Sequence, residues 1–193
     1  LPISTVSRLD RQKGIHSILQ TLPKLLALPW QFALLGTGDP ELERRANELS
    51  AKYPNRIACI LKYDDIIARM LYASGDLFLM PSLYEPCGLS QMFAMRYGNL
   101  PVATSTGGLA DSITDYSKDP ATATGFLYAE KNEAGLEKAL GLALSTFEDK
   151  TAWAIMRRNA MSVHFSWKLS AGKYLDVYRS EEHTSELQSP NTI

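Results

Sequence analysis

The sequence predicts an α/β domain built on a doubly wound parallel sheet. Short apolar runs alternate along the chain with segments of helical period, which is the pattern of repeated strand–helix units. The run Leu77–Met80 is apolar at every position, and this indicates a strand that is buried on both faces, as in a parallel sheet. The length of 193 residues suits one such domain.

Strands and helices are predicted in alternation. The predicted strands are Ile3–Val6, Gln31–Leu35, Arg56–Ile60, Leu77–Met80, Leu100–Ala103 and a shorter one near Gly125–Leu127. The predicted helices are Ile15–Leu28, Pro40–Lys52, Ile66–Ala73, Ser90–Tyr97, Leu109–Asp115, Glu133–Ser145, Thr151–Met161 and Trp167–Tyr178. Right-handed crossovers place each strand-to-helix loop at the carboxyl edge of the sheet, where open α/β folds bind ligands. The loops at residues 7–14, 36–39, 82–88 and 105–108 are therefore the candidate binding loops.

Charge and composition exclude several classes of function. The chain has 20 Lys and Arg against 21 Asp and Glu, a net charge of −1, so no global field attracts nucleic acid or anionic lipid. It contains no apolar run long enough to span a bilayer. Cys59 and Cys87 form neither a CxxC motif nor a Cys/His cluster, which favours reduced thiols over a disulfide or zinc site. We expect neither nucleic acid nor membrane as a partner.

The first candidate loop carries two cations between a strand and a helix. Arg8 and Lys13 lie in the segment SRLDRQKG, just ahead of the predicted helix that begins at Ile15. Free amides and the dipole at a helix start favour negative charge, so the two side chains suit a diphosphate. Solvated surface cations are the alternative interpretation.

Two further loops are rich in glycine. Gly36 and Gly38 follow one strand and open a helix, and Gly107 and Gly108 precede another helix. Glycine allows the backbone to approach a phosphate closely, although tight strand–helix turns also use glycine for geometry alone. Both loops are candidate phosphate contacts.

The third loop places a carboxylate ahead of a helix start. Glu85 stands beside Pro86 and close to Gly88. A carboxylate in this position can hold sugar hydroxyls or stabilise positive charge at an anomeric carbon. The backbone amides of Leu89 and Ser90 can face an anion. A solvent-facing acidic residue is the alternative.

Other polar residues are better explained by capping, packing or surface roles than by metal binding or catalysis. Asp64 and Asp65 form an acidic pair ahead of a predicted helix, and we interpret it as helix capping rather than a metal site. His16 and His164 have no second ligand at metal spacing, so we expect packing or surface roles. Cys87 has no basic partner nearby in sequence, which favours loop packing over a nucleophile. We predict neither a metal nor a cofactor.

The segments SRLDRQKG, KYDD, PSLYEPCGLSQ, YGNLPV and STGGLADSI, in this order and spacing, carry a family resemblance. From about Val6 to Tyr178 the chain resembles the C-terminal domain of bacterial glycogen synthases and plant starch synthases, glycosyltransferase family 5, and EPCGLSQ is the most specific part. The resemblance implies the C-terminal, Rossmann-like half of a GT-B enzyme. It also implies a retaining glucosyltransferase that moves glucose from ADP-glucose to an α-1,4-glucan.

Roles for individual residues follow from the same resemblance. It implies that Arg8 and Lys13 hold the diphosphate and stabilise the departing nucleotide, and that Glu85 lies against the donor glucose. Tyr63 matches a tyrosine that stacks on adenine. The remaining implied contacts line the phosphate and sugar subsites and are the backbone of Gly88, Leu89, Ser90, Gly107 and Gly108.

Two departures from the family pattern accompany the resemblance. Many relatives carry a second glutamate eight residues after the first, often on the ribose, whereas this chain has Phe93 there. The family also has an N-terminal domain with a Lys-x-Gly-Gly motif and part of the acceptor site. We therefore expect a missing N-terminal domain to be a partner and the chain alone to be inactive. The implied compartment is the bacterial cytoplasm, or a plastid for a plant enzyme.

The two ends of the chain do not look natural. The sequence opens directly on an apolar, strand-like run without an initiator Met, and the eleven residues 179–189 resemble a translated sequencing adapter. We divide the chain into a nucleotide-sugar-binding domain at residues 1–178 and a non-native tail at 179–193. Two other functions stay open: a UDP-sugar-dependent transferase of the same fold, and a fragment that binds nucleotide or glucan without catalysis.

Overall fold

The computed structural model describes residues 1–187, and these form a six-stranded parallel sheet with helices on both faces. The strands are β1 (Pro2–Val6), β2 (Gln31–Leu35), β3 (Ile57–Ile60), β4 (Leu77–Met80), β5 (Leu100–Thr104) and β6 (Phe126–Tyr128). Their order across the sheet is β3-β2-β1-β4-β5-β6, and every neighbouring pair is parallel. The predicted doubly wound α/β class is confirmed.

Seven helices within residues 1–162 pack around the sheet in two groups. They are α1 (Ile15–Thr21), α2 (Pro40–Lys52), α3 (Asp65–Ser74), α4 (Ser90–Arg96), α5 (Gly107–Ser112), α6 (Glu133–Thr146) and α7 (Lys150–Ser162). A further helix, α8 (Trp167–Leu187), follows them in the chain. Helix α1 packs beside α2 and α6, whereas α4 packs beside α3 and α7. This division is expected when the chain winds first to one side of β1 and then to the other.

Two predicted helices differ from the observed ones for local reasons. The predicted helix Ile15–Leu28 is wrong in length, because α1 ends at Thr21 and a 3₁₀ turn follows at Leu22–Leu25. Pro23 explains the change, since proline lacks an N–H and its ring opposes the carbonyl four residues earlier. Helix α5 is displaced towards the amino end and stops at Ser112. Other strand and helix limits up to residue 162 agree with the prediction to within one residue.

The predicted capping of α3 is confirmed. The Asp64 carboxylate accepts hydrogen bonds from the amides of Ile66 and Ile67 at 3.1 and 2.9 Å. The bond from Ile67 and the side chain of Lys62 hold the pKa of the Asp64 carboxyl below its usual value. The cap fixes where α3 begins, and with it the position of Tyr63 one residue earlier.

The structure separates into two compact units. Leu1–Ser162 form the first, and its core is centred on the sheet, where Trp30, Phe78 and Phe126 are fully buried. The second begins at Val163 and contains α8, which starts where predicted but continues to Leu187. Residues 188–193 of the predicted tail lie outside the described residues, and the assignment of 179–193 as non-native stays a prediction. No helix within residues 1–187 is long and apolar enough to cross a bilayer.

The strand order creates a crevice at the carboxyl edge of the sheet. From β1 the chain proceeds to β2 and β3, and it then returns to the opposite side of β1 as β4. The loop after β1 and the loop after β4 therefore lead to helices on opposite faces of the sheet. Ligands of open α/β folds bind at this kind of switch point. The cations of the first loop and the carboxylate of the third belong to these two loops.

Candidate functional site

A buried ion pair joins the two loops at the switch point. The Nζ atom of Lys13 lies 2.5 Å from Oε2 of Glu85, and their side chains are only 19% and 7% exposed. The Ser82 hydroxyl donates to the same carboxylate oxygen at 3.3 Å. An ammonium group has three N–H donors, so Lys13 retains donors for a second anion. The structure thus brings together two of the three predicted catalytic side chains.

Asp10 folds the loop that carries the cations. Its Oδ1 accepts from the backbone N–H of Lys13 at 2.8 Å, and its Oδ2 pairs with Nη2 of Arg8 at 3.2 Å. The Arg8 side chain is 71% exposed, so most of its guanidinium remains available to a ligand. Sequence reasoning assigned no role to Asp10, although an aspartate between two cations, placed to accept from a backbone N–H three residues later, is the signal that points to it.

Gly14 closes the same loop in a conformation that only glycine adopts easily. Its φ is 68°, and a Cβ atom at this position would lie 2.0 Å from the Pro81 carbonyl oxygen. The backbone of the first loop therefore rests directly on the chain that leads to Glu85. This contact, together with the ion pair, sets the position of Lys13 relative to Glu85.

We expect Gly14→Ala to lower the free energy of unfolding by about 1–3 kcal/mol, the cost of a strained backbone conformation with a close contact. Gly141→Ala is the matched control, because Gly141 lies inside α6 with open space around it. Alanine there is expected to raise stability by about 0.5–1 kcal/mol through helix propensity. Urea denaturation measures both variants. A Gly14→Ala protein as stable as the parent would contradict the packing described.

The start of α5 packs against the backbone beside Glu85. A Cβ atom at Gly107 would lie 2.2 Å from the Glu85 carbonyl oxygen, and one at Gly108 would lie 2.0 Å from that of Cys87. The Gly108 amide donates to the Glu85 carbonyl at 3.0 Å. These glycines are therefore needed for close packing of two site loops. Their predicted contacts with phosphate and sugar stay predictions.

A pocket of about 630 Å³ opens beside the cation-bearing loop. It brings together the predicted residues Arg8, Gly36 and Tyr63. The Tyr63 ring is 82% exposed, and its hydroxyl donates to Oδ1 of Asp65 at 2.8 Å. This hydrogen bond and the negative charge of Asp65 raise the pKa of the Tyr63 hydroxyl. The ring is thereby held at the rim of the pocket.

Aromatic side chains of α3 and α4 form another wall of this pocket. Tyr72, Phe93 and Tyr97 line it together with Arg69, and the rings of Tyr72 and Phe93 are 5.8 Å apart between centroids. Pockets with aromatic walls and a few polar groups suit planar ligands. Phe93 therefore supplies apolar surface at the position where many relatives carry a second glutamate. Sequence reasoning did not predict Arg69 or the two tyrosines.

The other predicted glycine loop is tied to its neighbours by the backbone. A Cβ atom at Gly38 would lie 2.3 Å from the Leu9 carbonyl oxygen, and its amide donates to Oε1 of Glu43 at 2.8 Å. Gly36 lines the pocket, whereas Gly38 packs behind it. Close backbone packing therefore explains the glycine at position 38. A contact between this loop and a phosphate stays a prediction.

The segment from Gly88 to Ser90 leads into α4. Gly88 adopts a φ of 72°, Leu89 is exposed, and the helix begins at Ser90. The structure places this segment directly after Glu85 in the loop that follows β4. Its predicted contacts with an anion are not tested by the structure.

The remaining polar residues have structural surroundings. His16 lies 4.0 Å from a Glu133 carboxylate oxygen on the outer side of α1. Cys87 is exposed, and burial raises the pKa of the Cys59 thiol to about 11. Among residues 1–180, whose side chains the structure describes, no three His, Cys, Asp or Glu side chains converge as metal ligands would.

Lys131 is a site-loop contact that sequence reasoning missed. Its Nζ donates to the Leu83 carbonyl at 2.8 Å and to the Thr106 hydroxyl at 3.0 Å. It thus links two of the candidate loops. The sequence signal for Lys131 is its position just after β6, because the carboxyl ends of all parallel strands meet at the same edge of the sheet as the candidate loops.

Fixed cations, a buried carboxylate and an aromatic-walled pocket meet at the switch point of a parallel sheet. This combination defines a class: α/β domains that bind a ligand with anionic and planar parts at the carboxyl edge. Residues 2–146 match the family described as glycosyl transferases group 1. The chain belongs to this family.

Individual relatives narrow the comparison. The chain is 45% identical to a glycogen synthase of Aromatoleum aromaticum over 181 residues, covering 92% of this chain and 37% of that protein. It is 40% identical to a glycogen synthase of Desulfitobacterium hafniense, covering 95% and 39%. A solved structure of the catalytic domain of starch synthase IV from Arabidopsis thaliana, bound to ADP and acarbose, superposes with a TM-score of 0.83 at 35% identity and covers 93% and 38%. The chain thus spans about two fifths of the length of these relatives.

Proposed function

We propose that this chain is the donor-binding half of a retaining glucosyltransferase that elongates an α-1,4-glucan from ADP-glucose. Its similarity to glycogen synthases and to a starch synthase structure that contains ADP supports the proposal. The remaining length of those relatives supports a second domain as partner, with the glucan acceptor bound between the two. We propose the bacterial cytoplasm as the compartment, since the glycogen synthases compared are bacterial, or a plastid if the parent is a plant enzyme.

One observation carries the proposal. The pocket that contains Tyr63 and the Lys13–Glu85 pair are connected by a single loop, residues 7–14, with Arg8 facing the pocket and Lys13 the carboxylate. A nucleoside diphosphate sugar has the same order of parts: a planar base, two phosphates and a sugar. We place adenine against Tyr63, the diphosphate at Arg8 and Lys13, and glucose at Glu85.

This placement assigns the chemistry to the chain's own groups. Transfer breaks the bond between the anomeric carbon of glucose and the diphosphate oxygen, and ADP leaves with the electron pair. Arg8 and Lys13 stabilise the negative charge that develops on the leaving group. Glu85 stabilises positive charge at the anomeric carbon and orients sugar hydroxyls. The oxygen of the acceptor 4-hydroxyl forms the new glycosidic bond to the anomeric carbon, and its proton passes to the departing diphosphate oxygen.

Calorimetric titration of the chain with ADP and then with UDP tests the donor site. We expect ADP to bind and UDP to bind more weakly, because the larger purine covers more of the Tyr63 ring. Equal binding of both nucleotides would instead favour a UDP-sugar-dependent transferase. Absence of ADP binding to a folded chain would overturn the proposed donor site.

Tyr63→Ala is expected to weaken ADP binding by about 1–3 kcal/mol, the usual contribution of one aromatic–base stack. Tyr63→Phe is the matched control, because it keeps the ring and removes only the hydroxyl that donates to Asp65. We expect its ADP affinity to stay close to that of the parent. Calorimetry on both variants measures the difference. An alanine variant that binds ADP as the parent does would remove Tyr63 from the base site.

A further inference from the structure

We infer that Gln91 is a positioning residue that holds the Glu85 loop against the start of α5. The inference rests on the proposed function, because the loop that Gln91 supports belongs to the proposed donor site. Gln91 lies in the first turn of α4, fully buried and outside the pocket lining. It therefore acts through the backbone of other residues.

The Gln91 amide binds both loops at once. Its Nε2 donates to the carbonyls of Cys87 and Gly88, each at 3.0 Å, and lies 3.1 Å from the Ser112 hydroxyl oxygen. The Ser112 hydroxyl in turn donates to the Gly108 carbonyl at 2.5 Å. One side chain thus connects the loop after β4 with the first and last turns of α5.

A second link, through the backbone, also joins the loop after β4 to the start of α5. The Gly108 amide donates to the Glu85 carbonyl at 3.0 Å. The loop is therefore held at Glu85 by α5 directly and at Cys87 and Gly88 through Gln91. Loss of the Gln91 link frees the Cys87–Gly88 end of the loop, so the backbone that follows Glu85 gains freedom. The start of the loop stays held, because the Leu83 amide donates to the Gln12 carbonyl at 2.8 Å and Lys131 donates to the Leu83 carbonyl. A carboxylate that must meet a sugar at fixed distance depends on such support.

One polar atom of the Gln91 amide has no partner within residues 1–180. Its Oε1 is buried and has no hydrogen-bond partner among the described residues, and an unsatisfied buried acceptor is unfavourable. A Cβ atom at Gly88 would lie 2.5 Å from that same oxygen. The absence of a side chain at Gly88 is thus matched to the presence of glutamine at 91. This pairing gives a structural reason for the residues at two positions of the EPCGLSQ segment, Gly88 and Gln91.

Asn99 offers a matched control at the opposite edge of the sheet. It is also a fully buried amide, its Nδ2 donates to the Ser4 hydroxyl at 3.0 Å, and its Oδ1 likewise has no partner in the described part of the chain. Asn99 immediately precedes β5 and so lies at the amino end of the strands. An isosteric apolar change at either site removes a buried amide of the same kind.

Calorimetric titration with ADP and urea denaturation of Gln91→Met and Asn99→Leu test the inference. Both variants are expected to lose stability. Only Gln91→Met is expected to bind ADP more weakly, by about tenfold, because the loop that it releases also carries the Leu89 and Ser90 amides predicted to face the diphosphate. Gln91→Glu adds a readout that a purely structural role would not move: its ADP affinity is expected to rise as pH falls, because a protonated carboxyl regains one donor and a carboxylate has none.

Failure of the role inferred for Gln91 can be distinguished from failure of the proposed function. If the parent chain binds ADP and Gln91→Met binds it equally well, or both apolar variants lose affinity to the same degree, the role of Gln91 is overturned while the proposed function stands. If the parent chain does not bind ADP, the proposed donor site fails. Hydrogen exchange at the Gly108 amide then decides the role of Gln91. Faster exchange in Gln91→Met than in Asn99→Leu supports it, and equal exchange overturns it.

Discussion

Glu85→Gln is expected to reduce glucosyl transfer by about 10²–10³-fold, the loss typical for removal of one preorganised electrostatic group from an active site. Glutamine keeps the shape of the side chain and loses its charge. ADP affinity is expected to change little, because Arg8 and Lys13 hold the diphosphate in the proposed placement. The measurement is transfer of labelled glucose from ADP-glucose to glycogen. It uses a chimaera that joins the amino-terminal part of the Aromatoleum aromaticum relative to this chain.

The control for this experiment is Glu137→Gln. Glu137 also forms an ion pair, with Lys24 at 3.1 Å, but both side chains are about half exposed and join the surface of α6 to the 3₁₀ turn that follows α1. Its removal is expected to leave transfer unchanged. Near-parental transfer by the Glu85→Gln chimaera would exclude Glu85 from the donor glucose. A parallel loss of ADP affinity would instead assign it to nucleotide binding.

Much of the fold follows from local patterns in the sequence. The fully apolar run of β4 and the alternation of strands with helices are sufficient for a buried parallel sheet, because both faces of such a strand need cover. Capping by Asp64 is equally local, since an N-cap requires only the next three residues. The predicted helix Ile15–Leu28 is too long because the helical period continues past position 23, where proline cannot donate the next helical hydrogen bond.

The site is predictable only in part, because its partners are distant in sequence. Arg8, Lys13 and Glu85 were found from their loops and from family resemblance. The contact between Lys13 and Glu85 spans 72 residues and depends on β1 and β4 being neighbours. No local pattern contains the sheet order. The same applies to Lys131 and to the aromatic wall of the pocket, where Phe93 and Tyr72 meet from different helices.

Lys13→Met is expected to lower the free energy of unfolding by about 3–5 kcal/mol, the usual cost of removing one partner from a buried ion pair. The reason is the burial of Glu85. With the ammonium gone, the carboxylate keeps only the Ser82 hydroxyl at 3.3 Å as a side-chain partner, and an unpaired buried charge is strongly unfavourable. The reverse change, Glu85→Gln, is expected to cost less, because the longer lysine stem allows its charge to reach water. Urea denaturation of both single variants measures the difference between their free energies of unfolding.

Two further variants separate charge burial from packing. The double variant Lys13→Met with Glu85→Gln leaves no buried charge, so it is expected to be more stable than Lys13→Met alone despite carrying one more substitution. Lys24→Met removes the lysine of an exposed pair and is expected to cost no more than about 1 kcal/mol. A double variant less stable than Lys13→Met would mean that the lysine acts through packing of its stem. The pair would then be excluded as an electrostatic link between the two site loops, and these loops would be joined by the contact of Gly14 with Pro81 and by the hydrogen bonds of Gln12 with Leu83 and Tyr84.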